Sequence, residues 1–315
     1  MKIISTLKKG LLLLALVTFI SSCDDNNSVA PDNTITGIAA SSRNFDILTE
    51  ALKEVDLAGT LQGAGPFTVF APTDEAFAKY LRKTPYTTID EVPKNILKQI
   101  LLNHVVSGAI PSTTLQTGYL KTLAKNAVSG TNTMSLYVDL TSGVMLNGVS
   151  KVETADIIAT NGVIHVVDKV IDLPTIVTHA TANKNFTSLV TALTGTGQPD
   201  FVGLLSGTGS YTVFAPTNTA FISLNTELAP GGIASVSASN LTKVLQYHVV
   251  NGSLLSGSLT EGLVPTLAKQ NFTVSISSGV KIIDVNKRTS NVVAADVQCS
   301  NGVIHVLDKV LLPKL

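Results

Sequence analysis

Phe67-Thr-Val-Phe-Ala-Pro-Thr73 returns 144 residues later as Tyr211-Thr-Val-Phe-Ala-Pro-Thr217. Asn161-Gly-Val-Ile-His-Val-Val-Asp-Lys-Val170 returns 140 residues later as Asn301 to Val310, changed only at Val167/Leu307. Between them, His104-Val-Val matches His248-Val-Val, and Thr122-Leu-Ala-Lys125 matches Thr266-Leu-Ala-Lys269, both at the offset of 144. Four matches in the same order, with one small slip, mark a duplication. A period near 140 is a whole domain rather than a solenoid repeat of about 20–50 residues. The chain therefore divides into residues 35–173 and 174–315, joined at a stiff Leu173-Pro174 link.

Hydrophobic period gives each copy a helical first half and a β second half, an α+β fold. Phe45 to Leu61 carries a helical apolar stripe. Phe67 to Phe70 alternates as a short strand that Pro72 ends. Thr73 is placed to cap a helix running to Tyr80, with Asp74 and Glu75 at its positive end. Pro93 suits a first helical position before the buried stripe Ile96, Leu97, Ile100 and Leu101. Strands are expected at Leu136–Asp139, Val144–Leu146 and Val163–Val170, with Asn161-Gly162 as a hairpin turn. The glycine-rich stretch Gly203–Ser210, aligned with Gly59–Pro66, is expected to be a loop before the strand.

The N-terminus sets the compartment. Lys2, Lys8 and Lys9 precede an apolar run over residues 10–20, then Ser21, Ser22 and Cys23. A basic segment, a short apolar core and small residues make a signal peptide over residues 1–22. The core is shorter than the ~20 residues a membrane span needs. Ile20-Ser21-Ser22-Cys23 resembles a bacterial lipobox, which implies acylation of the Cys23 thiol, and the following Asp24-Asp25 resembles surface-export signals of Bacteroidetes lipoproteins. Residues 23–34 are polar and aperiodic, and read as a tether. The expected location is the outer membrane or cell surface, or its periplasmic side, with membrane attachment through the lipid.

Bulk chemistry excludes some functions. The 315-residue chain has 22 basic and 22 acidic residues. Removing residues 1–22 leaves it slightly acidic, so nucleic acid has no electrostatic footing. With Cys23 acylated, Cys299 has no disulfide partner. Cys299 aligns with Ala159 and reads as a small buried residue.

The motifs at 68–77 and 212–221 resemble the first signature box of fasciclin domains, and those at 161–170 and 301–310 resemble the second. Tyr247-His248 is similar to the family's central Tyr-His box, from which Asn103-His104 departs. The resemblance covers nearly everything after residue 34. It implies two tandem domains, each a β-sandwich or wedge flanked by helices, in extracellular membrane-attached proteins that adhere to partners, without general enzymatic activity or cofactor. Phe70, Pro72, Thr73, Gly162 and Phe214, Pro216, Thr217, Gly302 stand as structural motif residues. By the same resemblance Asp156-Ile157 and Asp296-Val297 occupy the position of an integrin-linked Asp-Ile pair, and are carried over as exposed-loop candidates for partner binding.

The remaining polar residues read as structural. His165 and His305 alternate with core valines and need partners for both ring nitrogens. His104 and His248 follow an amphipathic helix. No spacing supplies the four ligands of a structural zinc site, and no Gly-x-Ser-x-Gly elbow appears, so no metal, cofactor or catalytic residue is assigned. His179, without a counterpart, reads as surface, and the Asp168-Lys169 and Asp308-Lys309 pairs as solvated strand edges. Function is expected to be non-enzymatic binding to an unknown protein or polysaccharide at the cell surface. The alternative is a carbohydrate-binding component of a nutrient-capture system, against which the absence of Trp weighs.

Overall fold

The computed structural model describes residues 31–126 and 132–315. The signal peptide, Cys23 and most of the tether lie outside the described residues. Residues 32–315 form one compact unit. Among the described residues no helix is long and apolar enough to cross a membrane.

Each half is α+β. The first contains β1 (Phe67–Pro72), β2 (Val105–Ser107), β3 (Gly118–Lys125), β4 (Thr133–Asp139), β5 (Met145–Leu146), β6 (Ser150–Ala159) and β7 (Gly162–Val167). These close into a barrel in that order, with β7 returning to β1. The second contains β8 (Tyr211–Pro216), β9 (Val249–Asn251), β10 (Gly262–Pro265), β11 (Asn271–Ser275), β12 (Lys281–Ile283), β13 (Thr289–Cys299) and β14 (Gly302–Leu307). Its sheet has the same neighbours but stays open between β9 and β10. The difference is local: Val106 pairs with Thr122 in the first half, whereas a single Leu267 N–H to Val249 O bond spans the corresponding gap in the second.

The two signature boxes of each half are neighbouring parallel strands. Phe70 faces His165 across β1 and β7, and Phe214 faces His305 across β8 and β14. Alternation then sorts the side chains. Val69, Ala71 and Ile164 face the helices, while Phe70 and Val167 face the barrel interior with Leu136, Val138 and Leu146. The second half repeats this with Val213, Ala215 and Ile304 on one side and Phe214 and Leu307 on the other. Burying a phenylalanine as fully as Phe70 or Phe214 contributes about 1.5–3 kcal/mol.

Several local expectations need correction. The stripe over Phe45–Leu61 is two helices, Asp46–Glu54 and Ala58–Gln62, because Asp56 takes a left-handed φ of 56° between them. Pro93 is the residue before its helix, Lys94–Asn103, rather than the first within it. Residues 203–206 belong to helix Phe201–Ser206, so only the end of the glycine-rich stretch is loop. The β6–β7 turn is Thr160-Asn161, since Ala159 already pairs with Gly162. Gly162 is required for a different reason. A Cβ there would lie 2.0 Å from the Phe67 carbonyl oxygen, so the glycine lets β7 enter beside β1. Thr73 and Thr217 do cap their helices, accepting from Ala76 N and Ala220 N at 3.2 Å.

Candidate functional site

The box residues assemble into two internal hydrogen-bond centres per domain. The first is the bulge centre. His165 and His305 are fully buried inside the sheet. His165 Nε2 donates to Ile110 O at 3.0 Å, and its Nδ1 accepts from Asp156 N at 3.2 Å. His305 repeats this with Leu254 O and Asp296 N. Both nitrogens are thus engaged; His165 stacks on Phe70 at a centroid distance of 5.4 Å, and His305 lies tilted against Phe214 at 5.3 Å.

Asp156 and Asp296 are the extra residues of bulges in β6 and β13, with φ of 63° and 59°. Bulges re-aim a side chain at the price of one unpaired residue. Here the carboxylates turn toward the short turns Ser112–Thr114 and Ser256–Ser258. Asp156 accepts from Ser112 N at 2.7 Å and Ser112 Oγ at 2.5 Å, and Asp296 from Ser256 N and Oγ at 2.8 and 2.5 Å. The Ser112 hydroxyl and amide hold the Asp156 carboxyl below the usual carboxylate range.

This corrects the expected placement of the carried-over residues. They lie in bulged strands, not exposed loops. Val297 is buried, Ile157 packs against the helical-side core, and both carboxylates are spent on internal donors. Ser112 and Ser256, their partners, stand 144 residues apart, and extending the repeat alignment would have found them.

The second centre joins helix, strand and chain end. His104 Nδ1 donates to Ile100 O at 2.7 Å, and Nε2 accepts from Ile171 N at 2.8 Å. His248 does the same with Val244 O and Leu311 N. Burial lowers the pKa of each imidazole to about 4, which keeps both rings neutral. Where the second copy has Tyr247, donating to Asn271 O at 2.8 Å, the first has Asn103, donating to Ile171 O and Asp172 O. The departure from Tyr-His is thus filled by a different tie: Tyr247 reaches β11, whereas Asn103 reaches the end of its domain.

Asn161 and Asn301 are more than turn residues. Asn161 Oδ1 accepts from Ile35 N at 2.9 Å, and its Nδ2 donates to Leu61 O and Gly63 O. Asn301 ties Ile176 N, Leu205 O and Gly207 O in the same way. Each pins the first helix and a pre-strand loop to the hairpin. Alanine at either position is expected to cost about 2–4 kcal/mol, because buried backbone groups lose partners. Urea unfolding of Asn161→Ala checks this, and a loss under about 0.5 kcal/mol, the range of an ordinary surface change, would show that water replaces the amide.

Asp168 and Asp308 stand at solvated strand edges, as expected, and also accept backbone hydrogen bonds. Asp168 accepts from Lys151 N at 2.6 Å, and Asp308 from Asn291 N and Nδ2, so each closes the start of the preceding long strand. Cys299 is fully buried, and burial pushes its thiol pKa up, away from nucleophile or ligand chemistry.

The two domains are clamped together. Helix Ile176–Ala182 and β13 of the second lie against β3 and β4 of the first. Lys121 Nζ donates to Asp296 O at 2.6 Å, Ser135 Oγ accepts from Gln298 N at 2.9 Å, and Asn126 Nδ2 donates to Cys299 O. Tyr119 Oη accepts from Asn183 Nδ2 at 3.2 Å, and Lys184 pairs with Asp139 at 2.8 Å. Lys184 and the Thr141 hydroxyl hold the Asp139 carboxyl at about 2.

His179 sits in the middle, fully buried and edge-on to Tyr119 at a centroid distance of 5.3 Å. The Ser135 and Gln298 backbones lie beside its ring without close, well-aligned hydrogen bonds. The expectation of a surface histidine is therefore wrong. Its covering strand comes from the other domain, which the period of its own helix cannot register. Among the described residues no group of three or more His, Cys, Asp or Glu is arranged to hold a metal.

Comparison with known proteins follows the same division. The chain is 40% identical over 141 residues to "Protein sll1483" of Synechocystis, covering 45% of this chain and 74% of that one. It is 29% identical over 259 residues to pig "Transforming growth factor-beta-induced protein ig-h3", covering 80% of this chain and 35% of that longer protein. A solved fasciclin domain pair from "the Insect Cell Adhesion Molecule Fasciclin I" aligns over 84% of this chain and 92% of that one, at 19% identity and a TM-score of 0.49. The family model described as "Fasciclin domain" matches twice, over residues 43–174 and 184–313. With both copies matched and both box pairs folded into the same two centres, the chain belongs to the fasciclin family.

Proposed function

We propose that the chain is a non-enzymatic, lipid-anchored binding protein of the cell envelope, which attaches the cell to a protein or polysaccharide partner through its tandem fasciclin domains. The observation that carries this reading is where the repeated polar residues go. His104, His165, Asp156 and their counterparts are consumed by internal hydrogen bonds, so the strictly repeated chemistry builds the scaffold and leaves recognition to exposed surfaces. Two sites carried on one clamped body reach a partner at high effective concentration, so neither needs to be strong alone.

Anchoring rests on Cys23. Labelled palmitate is expected in the chain expressed from its own gene and absent from Cys23→Ala, which leaves the membrane fraction, since stable anchoring needs two hydrophobic signals. Unchanged labelling in the variant would place the lipid elsewhere or remove it from the account. Binding itself is tested with beads carrying the whole folded chain, laid on cells of the source organism. Retention above beads carrying heat-unfolded chain is expected, and equal retention would contradict the proposal.

A further inference from the structure

The two domains share a fold but not a surface. Helix Asp46–Glu54 corresponds to Thr187–Leu193. The amides of Ile47 and Ser188 are bound by Asp74 and Asn218, respectively, which fixes the alignment. The helix aligns at an offset of 141, and the segments from Leu61/Leu205 onward at 144, so the second domain carries three extra residues between them. In the first domain Phe77, Ile89, Val92 and Leu97 are at most 3% exposed, and Ile47, Leu81 and Tyr86 pack over the same core. The second domain has Ser188, Asn225 and Pro230 in those three covering positions. Ile233, Val236 and Leu241 become partly exposed as a result, and a cleft of ≈ 580 Å³ opens above Phe221.

Charge is removed at the same place. Asp46, Glu50, Glu54 and Lys94 are replaced by Thr187, Thr191, Gly195 and Ala238, and among the described residues no charged one lines the cleft. Its rim is held in place by Gln198, whose Nε2 donates to Ala238 O at 3.1 Å while its Oε1 accepts from Thr242 Oγ1 at 2.9 Å. Asn225 Oδ1 accepts from Ile233 N at 2.8 Å, which orients the amide and leaves its NH₂ to donate.

We propose that this cleft binds a neutral saccharide. An ionised ligand would lose water there without meeting a counter-charge, and a wholly apolar one would leave hydroxyls and amides unpaired. A sugar ring offers both C–H faces for Phe221, Ile233 and Leu241 and hydroxyls for Ser188, Thr191 and Asn225. The volume is that of an ordinary small-molecule site. This site deepens the binding function proposed above and rests on it.

The test is saturation-transfer NMR and calorimetry on the whole chain with cellotriose, maltotriose, laminaritriose and diacetylchitobiose, each up to about 10 mM, the weak end of specific binding. At least one is expected to bind. Asn225→Leu, which restores the first domain's residue, and Ala234→Trp, which adds bulk at the exposed rim, are each expected to weaken binding at least about tenfold. Both are expected to leave the unfolding midpoint of the second domain unchanged or raised. Absence of binding by all four sugars, tighter binding of glucuronate or sialyllactose, or affinity unchanged in both variants would overturn the proposal. Cell attachment reports separately: attachment that survives both variants leaves the adhesion reading standing without this cleft, and sugar binding in a chain that fails to promote attachment does the reverse.

Discussion

Alanine at Gly162 is expected to unfold the first domain under conditions where the second stays folded. The added Cβ would meet Phe67 O at 2.0 Å and Phe67 C and N at 2.9 Å, all backbone atoms of a neighbouring strand, and φ of 156° strains any L residue further. Relief requires β1 and β7 to separate, and that pair carries Phe70 and His165 on its inner face. A loss of about 4 kcal/mol or more is expected, in the range that marks a specific steric cause. Gly302→Ala repeats the experiment in the second domain, against Tyr211 O at 2.0 Å. Gly108→Ala separates the two contributions. Its φ is 96° but no atom of the described residues lies within 4 Å of the added carbon, so only the backbone contribution of about 1 kcal/mol remains. Denaturant unfolding of the three variants measures this, and equal losses at 108 and 162 would remove close strand approach as the cause.

Acid is expected to destabilise the protein through its buried histidines, beginning as pH falls below about 6.5. His104 and His248 are lowered to about 4 and His179 to about 3 by burial, against about 6.5 in the unfolded chain. The folded state therefore binds fewer protons than the unfolded state between those values. Stability is fully present above pH 6.5 and falls as pH drops toward 4, by up to on the order of 3 kcal/mol for each ring. His179 faces the Tyr119 ring and the Ser135 and Gln298 backbones, with Lys121 as the nearby cation and Asp296 beyond it, so its protonation adds charge beside Lys121 and strains the domain clamp. Thermal unfolding is expected to fall by more than about 10 °C between pH 7 and pH 4.5. A midpoint flat across that window would mean the rings titrate normally and are not held neutral in a dry interior. His179→Leu is expected to reduce the slope, since no ring remains there to charge.

Much of this architecture is legible in the sequence, and the illegible parts have a common cause. The duplication, the α+β order of elements and the inward face of His165 follow from spacing alone, because period and repetition are local properties. The Asn161-Gly162 pair was readable as a turn, but its actual work is long-range. Asn161 reaches Leu61, 100 residues away, and Gly162 makes room for Phe67. The partnering of the two signature boxes as adjacent parallel strands is likewise a tertiary fact with no local mark. Asp156 is placed in a loop by the family resemblance alone; a strand bulge holds it on Ser112 while leaving the carboxylate partly exposed. His179 looked exposed because the residues that bury it belong to the other domain. The second-domain cleft was hidden for a subtler reason. Ser188, Asn225 and Pro230 are unremarkable until set against Ile47, Leu81 and Tyr86.

The proposal that this clamped pair of fasciclin domains holds cells to a partner surface is tested by the retention under flow of cells lacking the gene, set beside the parent and a strain given the gene back. Fewer deleted cells should remain on the parent's own biofilm matrix, with retention restored by the returned gene and not by its Cys23→Ala form. Equal retention of parent and deleted cells on that matrix and on several other surfaces would contradict the account.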